Sequence, residues 1–301
     1  MKLLLSGAHG QVGWEFTQRC QHSTHQLIAL GSNELDIGDQ RQVENVITLH
    51  APDIVINAAA YTAVDKAENE AEHAFRVNRD GPAHLAEVCK KLSIPLFHIS
   101  TDYVFDGKKV FDGKKNSAYA VDDAVNPQNV YGASKWAGEE QVRKILPKHI
   151  ILRTSWVFSS HGNNFVKTML RLGQTRNELN VVADQRGAPT SAASIARCLL
   201  ELCQRYEHTH DLPWGTYHFT GTPESTWFDF ARIIFKEALN TGLIDHPLAV
   251  HPITTAEYPT PASRPQNSLL DMQTTLNRLQ ITAPLWQDDL LDVLHTLKNA
   301  Q

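Results

Sequence analysis

Tyr131 and Lys135 stand four residues apart in a stretch of helical pattern, so their side chains leave the same helix face. A free phenol titrates near pH ~10, and a neighbouring ammonium favours the phenolate and draws that value down. A phenol tuned in this way is a general acid: it gives a proton to a carbonyl oxygen as hydride reaches the carbon. Most Tyr-x-x-x-Lys pairs are surface accidents, so the pair needs company. Thr101 supplies it. It follows the apolar run Leu96–Ile99, and open α/β sheets bind ligands at the carboxyl ends of their strands. Thr101 would there hydrogen-bond the substrate oxygen beside Tyr131. Asp102 would orient Thr101, meet the substrate or cap a turn. Asn78 would be an ordinary helix polar residue, or hold a backbone carbonyl and a water near Lys135. Spacing does not choose between these roles.

The second chemical feature is Gly7-Ala8-His9-Gly10-Gln11-Val12-Gly13, which joins the first apolar run to the first helical segment. Gly7 would permit a tight turn, Gly10 a close approach to a pyrophosphate, and Gly13 close packing of helix on sheet. The helix N-terminus would offer unpaired N–H groups to the anion. The spacing is GxxGxxG, and its place after the first strand makes it far stronger than a bare glycine pattern. The second run, Leu27–Leu30 followed by Gly31-Ser32, shows neither the acid expected to face the ribose of NAD nor the arginine expected to face the phosphate of NADP. Ser32 would accept a 2′-phosphate, which tilts the expectation from NADH toward NADPH and leaves it open. Asp36 either faces the adenosine or caps a turn.

These groups need a frame. Apolar runs at residues 2–6, 27–30, 54–56, 96–99 and 150–153 alternate with helical patterns at Gln11–Cys20, Asp39–His50, Asp65–Leu92 and Val130–Ile145. A break is expected near Asp80-Gly81-Pro82, with Pro82 in a first helical turn. Short apolar strands between helices indicate a doubly wound, Rossmann-type parallel α/β sheet covered on both faces. The second half is less regular: helices at Phe165–Arg176, Ser191–Tyr206, Trp227–Leu239, Asp271–Leu279 and Trp286–Leu297, and a strand at Thr216–Thr220. We therefore expect a coenzyme-binding domain over 1–160 and a smaller, mainly substrate-binding lobe over 161–301. The boundary is soft, because later segments would return to the first domain.

Composition narrows the class. With 28 basic and 33 acidic residues the net charge is −5 and no stretch is strongly basic, which argues against a nucleic-acid binder. No run approaches a membrane span, and the N-terminal apolar run is too short for a signal peptide. Cys20, Cys89, Cys198 and Cys203 form no CxxC pair, so neither zinc nor a disulfide framework is expected. Cys89 and Cys198 read as buried thiols, and all four fit a reducing cytoplasm.

The sequence resembles the extended short-chain dehydrogenase/reductases, and within them the reductases of dTDP-linked 4-keto-hexoses. The likeness runs along essentially the whole chain. It is carried by GAHGQVGWE at 7–15, NAAAYTAVDKAE at 57–68, STDYVFDG at 100–107, NVYGASKWAGE at 129–139, RTSWVF at 153–158, DQRGAPT at 184–190 and RPQNSLLD at 264–271. The resemblance implies that Thr101, Tyr131 and Lys135 are the catalytic triad, with Lys135 also on the nicotinamide ribose. It implies that Gly7, Gly10, Gln11, Val12 and Gly13 hold the pyrophosphate. Asp36 and Ile37 would lie near the adenine, and Ala58, Ala59, Ala60 and Tyr61 along the adenosine side. Val64, Asp102, Tyr103 and Trp156 would meet the sugar nucleotide, Trp156 by stacking on the sugar unless it is a core aromatic. Gln185, Gly187, Pro189, Thr190 and Arg264 look like substrate-loop residues. An arginine fork suits a diphosphate, and Arg264 and Arg153 are both candidates. The implied reaction is reduction of the 4-keto group to give dTDP-L-rhamnose. Rivals are a reductase of another nucleotide keto-sugar, an epimerase or dehydratase, and a non-catalytic coenzyme-binding regulator.

Two departures stand out. The segment between Phe105 and Pro127 is long for these relatives and nearly repeats itself, Phe105–Lys109 and Phe111–Lys115, with lysines that would draw an anionic substrate or simply solubilise a loop. Some relatives also use carboxylates, including the one matching Glu15, for Mg2+ at a dimer interface. Here Ser191-Ala192-Ala193-Ser194 follows Thr190 with no acid, so no metal ligand set is expected, and a homodimer stays open.

Overall fold

The structure is a computed structural model, which describes residues 1–109 and 118–300. The second lysine repeat, Phe111–Lys115, lies outside the described residues.

In chain order the first half runs β1 (Lys2–Ser6), α1 (Gln11–Cys20), β2 (Gln26–Leu30), α2 (Gln40–His50), β3 (Ile54–Asn57), α3 (Val64–Ala67), α4 (Ala71–Phe75), α5 (Gly81–Leu92), β4 (Leu96–Thr101), α6 (Val130–Ile145) and β5 (His149–Thr154). The second half follows as β6 (Val157–Phe158), α7 (Phe165–Gly173), β7 (Glu178–Val182), β8 (Arg186–Gly187), β9 (Thr190–Ser191), α8 (Ala192–Thr209), β10 (Gly215–His218), β11 (Ser225–Thr226), α9 (Trp227–Thr241), β12 (Ala249–Ile253), α10 (Gln273–Leu279) and α11 (Trp286–Asn299). Polar side chains start the helices that matter. Asp39, Asn129, Asn164, Ser191 and Thr226 each accept a backbone N–H from the first turn of α2, α6, α7, α8 and α9.

Six parallel strands form the main sheet in the order β10-β5-β4-β3-β1-β2. Strand order reverses between β1 and β3, and the crevice at such a reversal is where ligands bind. Alternation decides which core each side chain enters. Leu3 and Leu5 of β1 pack with α1 and α8, while Leu4 packs with α2, α5 and the end of α6. Each such leucine is fully buried, an arrangement that favours folding by about 1.5–3 kcal/mol per side chain. The second half also contributes to this sheet: β10 pairs with β5, and α8 lies against α1. The remaining elements build a second core, in which α7, α9 and α11 pack with the parallel pair β7–β12.

One stretch departs from expectation. The helical run over 65–92 does not break at Asp80-Gly81-Pro82. It breaks earlier, at Glu68–Glu70, and then passes through a π-helical turn, Arg76–Asp80, straight into α5. Pro82 sits in the first turn of α5, where its missing N–H costs nothing. The π turn swings Asn78 inward. Its side chain is 1% exposed; it accepts from Tyr61 N at 2.8 Å and donates to Tyr61 O and to Ser134 Oγ, both at 3.0 Å. Asn78 thus fastens the chain after β3 to α6. Gly138 lets α6 come this close, because a Cβ there would lie 2.0 Å from Asn78 O. Gly138→Ala is therefore expected to lower stability by about 1–3 kcal/mol through overpacking, read as a lower midpoint in chemical denaturation.

Candidate active site

Thr101 closes β4 and Tyr131 lies in the first turn of α6, with the Thr101 hydroxyl against the Tyr131 phenol. Thr101 Oγ1 accepts from Tyr103 N at 3.2 Å and donates to Asp102 Oδ1 at 3.0 Å. Asn129 caps α6 through Gly132 N at 2.8 Å. At Gly132 a side chain could not fit, since its Cβ would lie 2.2 Å from Tyr103 O. The start of α6 therefore rests directly on the Asp102–Val104 turn. The Tyr103 and Tyr131 rings meet edge to face, centroids 5.5 Å apart. One helical turn on, Lys135 is 1% exposed and donates to Ile99 O at 2.7 Å.

The electrostatics correct one expectation. Burial pushes the Tyr131 phenol up to about 12; the Thr101 hydroxyl opposes this and the Asp102 charge adds to it. Lys135 does not figure among the groups that lower Tyr131. Its ammonium is turned to the Ile99 carbonyl, and burial draws its own pKa down to about 8, with Glu139 working the other way. Burial also raises Asp102 to about 6, against the Ser268 and Thr101 hydroxyls. Beneath Lys135, Glu139 accepts from Ser100 Oγ at 2.6 Å, Arg143 at 2.9 Å and Arg153 at 2.8 Å. Burial opposes its ionisation, but Arg153, Ser100 and Arg143 prevail and hold its pKa below the ordinary value.

The glycine turn fits a dinucleotide. Gly7 has φ +78°, and a Cβ there would meet Ala59 N at 2.5 Å. A Cβ on Gly13 would fall 2.1 Å from Gly7 O. Both are glycine because the protein itself crowds them. Gly10 differs: a Cβ would meet only Gly7 O, at 3.4 Å, so the protein itself leaves space beside it. No side chain caps α1, and Gln11 and Val12 lie in its first turn. These are the features an anion-binding cradle needs. Ala58, Ala59 and Ala60 continue β3 along the same carboxyl edge, with Ala59 N bound to Asn57 Oδ1 at 3.1 Å and Tyr61 held by Asn78.

At the end of β2 lies an acid that inspection of the sequence missed. Glu34 folds back, and its Oε2 accepts from Gly31 N at 2.8 Å. The missing signal was positional, since the carboxylate arrives from three residues further along. Asp36 accepts from Gly38 N at 2.9 Å within a turn and pairs with Arg76 at 2.8 Å. The Ile37 side chain is 2% exposed in the core, and its carbonyl is bonded to His84.

Beyond Tyr103 a cavity of about 840 Å³ opens between the start of α3, α7, the β7–β12 pair and the segment 257–264. Gln185 and Arg264, both expected on the substrate side, line it, as do Asp65, Phe165, Arg176 and Trp227, which sequence reasoning did not single out. Half-buried Val64 begins α3 beside this opening. Of the two arginines expected as the diphosphate fork, Arg264 lines the cavity and Arg153 does not. Arg153 is 2% exposed and spent on Glu139 and Val121 O. Trp156, at φ +49°, stacks on Trp227 at 3.6 Å, and Gly187 comes so close that a Cβ would lie 2.4 Å from the indole. A freely exposed face for sugar stacking is thus not what this indole offers. Gly187, Pro189 and Thr190 serve the scaffold: Thr190 is fully buried and bonds Ala188 O and Gly221 N, and Gly221 packs on Pro189 O. In the first lysine repeat Lys109 pairs with Asp123 at 2.7 Å, a use the loop reading did not foresee.

Glu15 accepts from Arg19 and from Ser159, and no cluster of three metal-ligating side chains occurs among the described residues.

Residues 1–299 match the family model described as the RmlD substrate binding domain. The chain is 43% identical to a dTDP-4-dehydrorhamnose reductase of Aggregatibacter actinomycetemcomitans, over 97% of this chain and 98% of that one. The crystal structure of a dTDP-4-dehydrorhamnose reductase from Clostridium acetobutylicum superposes with a TM-score of 0.90 at 36% identity, covering 99% of this chain and 100% of that one. A Bacillus anthracis reductase of the same name, solved in complex with NADP, gives 0.87 at 35%, covering 98% and 99%.

Glu34 reaches the end of β2, the place at which an acid faces the adenosine ribose in dinucleotide-binding folds. Glu34→Gln should tighten NADPH binding relative to NADH, measured as the ratio of the two Kd values by nucleotide fluorescence; an unchanged ratio would remove Glu34 from coenzyme choice.

Proposed function

Because the chain belongs to the RmlD substrate-binding family, we infer that its crevice carries out the reaction of the dTDP-4-dehydrorhamnose reductases. The protein reduces the 4-keto group of dTDP-4-dehydro-β-L-rhamnose with NADPH or NADH, giving dTDP-L-rhamnose. The observation that supports the residue assignment is that Thr101, Tyr131 and Lys135 come together at the carboxyl end of β4, in the same parallel sheet whose β1 leads into the Gly7–Gly13 turn.

When bound, the nicotinamide supplies the hydride. Gly7, Gly10, Gln11, Val12 and Gly13 hold the pyrophosphate at the start of α1, and Ala58 to Tyr61 border the adenosine. Tyr131 gives its proton to the oxygen at C4 of the hexose, and the Thr101 hydroxyl fixes that oxygen. A phenol raised to about 12 keeps its proton at neutral pH and releases it only as negative charge grows on the substrate oxygen. Lys135, one turn along the same helix, is the cation that supports the phenolate left behind. Val64, Asp102 and Tyr103 surround the sugar. Arg264 takes the diphosphate as a planar fork, and the apolar wall with Phe165 and Trp227 receives the base. A non-catalytic regulator would not need this meeting of proton donor, cation and hydroxyl.

Two outcomes follow. Tyr131→Phe should cut kcat by about 10²–10⁴ while coenzyme Kd stays near wild type, followed by absorbance at 340 nm with dTDP-4-dehydrorhamnose; near-normal turnover would sink the assignment. Lys135 titrates at about 8 and acts as the charged form. Turnover should therefore fall as pH rises through about 8, and this limb should be absent from the residual activity of Lys135→Met.

A further inference from the structure

Arg264 does not face the cavity alone. Its Nη2 pairs with Asp65 Oδ2 at 2.7 Å, and Ala262 N donates to Asp65 Oδ1 at 3.1 Å. Asp65 lies in the first turn of α3, 199 positions away in sequence, so the contact crosses the cleft from the coenzyme side to the 262–264 strap. Both residues line the same cavity as Tyr103. A carboxylate there is unexpected on charge grounds. The substrate assigned above brings a diphosphate, and a bare acid in its path would repel it.

The pairing explains the acid. We propose that Asp65 is an internal competitor for the diphosphate-gripping arginine, holding Arg264 until the phosphates exchange with it. This rests on the functional reading above and adds a residue to it. The Asp65 side chain is 41% exposed and that of Arg264 21% exposed, so the pair is weak enough to exchange. A diphosphate offers the guanidinium several charged oxygens in place of one carboxylate. Burial resists ionisation of Asp65, but Arg264 and the Ala262 N–H outweigh it, so the carboxylate is charged at neutral pH. The strap need not move, because Asn129 Nδ2 also holds it through Ser263 O at 2.8 Å. Only the guanidinium changes partner. Ligands that lack phosphate leave the pair in place, so Asp65 lowers affinity only for ligands that carry phosphate.

The test is a double-mutant cycle read by calorimetry on the full chain with saturating oxidised coenzyme. Asp65→Asn keeps the acceptor for Ala262 N and removes the charge. It should tighten dTDP binding about threefold, the scale of an exposed ion pair, and leave thymidine binding unchanged. In an Arg264→Gln background, where dTDP binds more weakly, Asp65→Asn should bring no gain. Unchanged or weaker dTDP binding in Asp65→Asn overturns the proposal, as does an equal gain for thymidine. An equal gain in the Arg264→Gln background also overturns it, since that would be simple repulsion. If no form binds dTDP, the functional reading falls and the exchange with it; if wild type binds and Asp65→Asn changes nothing, only the exchange falls.

Discussion

A buried ion pair sets where the reactive helix lies. Glu139 on α6 is fully buried and meets Arg153 of β5, itself 2% exposed, through both carboxylate oxygens. Ser100 of β4 donates to the same carboxylate. Two neighbouring strands therefore grip one point on α6. Breaking such a pair from one side leaves a stranded charge and costs about 3–5 kcal/mol, so the helix has little freedom to slide or roll. Lys135 and Tyr131 lie one and two turns before that point, on the same face. Their height above the sheet follows from it.

The start and the middle of α6 are fixed by opposite means. Its middle is held by charge, and its start by the absence of side chains at Gly132, together with the Asn129 cap. Asn129 also holds the 262–264 strap, so the residue that begins the reactive helix touches the wall of the substrate cavity. The coenzyme crevice and the substrate cavity thus meet at one short stretch of chain.

Much of this was legible in the sequence, and the reason is periodicity. The bounds expected for α1 and α6 match, because amphipathic runs with a turn or cap at the start leave little choice. Strands β1, β3, β4 and β5 were legible as apolar runs. The glycine turn and the Thr101, Tyr131 and Lys135 set were legible because their chemistry demands particular residue types at particular places. What stayed hidden depends on contacts between distant segments. Glu34 reaches back to Gly31, Asp65 pairs with Arg264, and Trp227 stacks on Trp156. The tuning of Tyr131 was misread for a related reason: spacing places Lys135 on its face, but the Ile99 carbonyl decides where the ammonium points. The π turn at Arg76–Asp80 was invisible because it keeps helical composition while changing only the hydrogen-bond step.

The return of β10 to the edge of the main sheet has a consequence for how the molecule is made. β10 spans Gly215–His218, and α8, which covers α1, ends at Thr209. A nascent chain leaving the ribosome at residue 160 would expose the flank of β5 and the apolar side of α1 that these later pieces cover. The nucleotide half can close only after more than two thirds of the polypeptide has emerged. Until then its sheet has an open parallel edge, the kind of surface that chaperones shield.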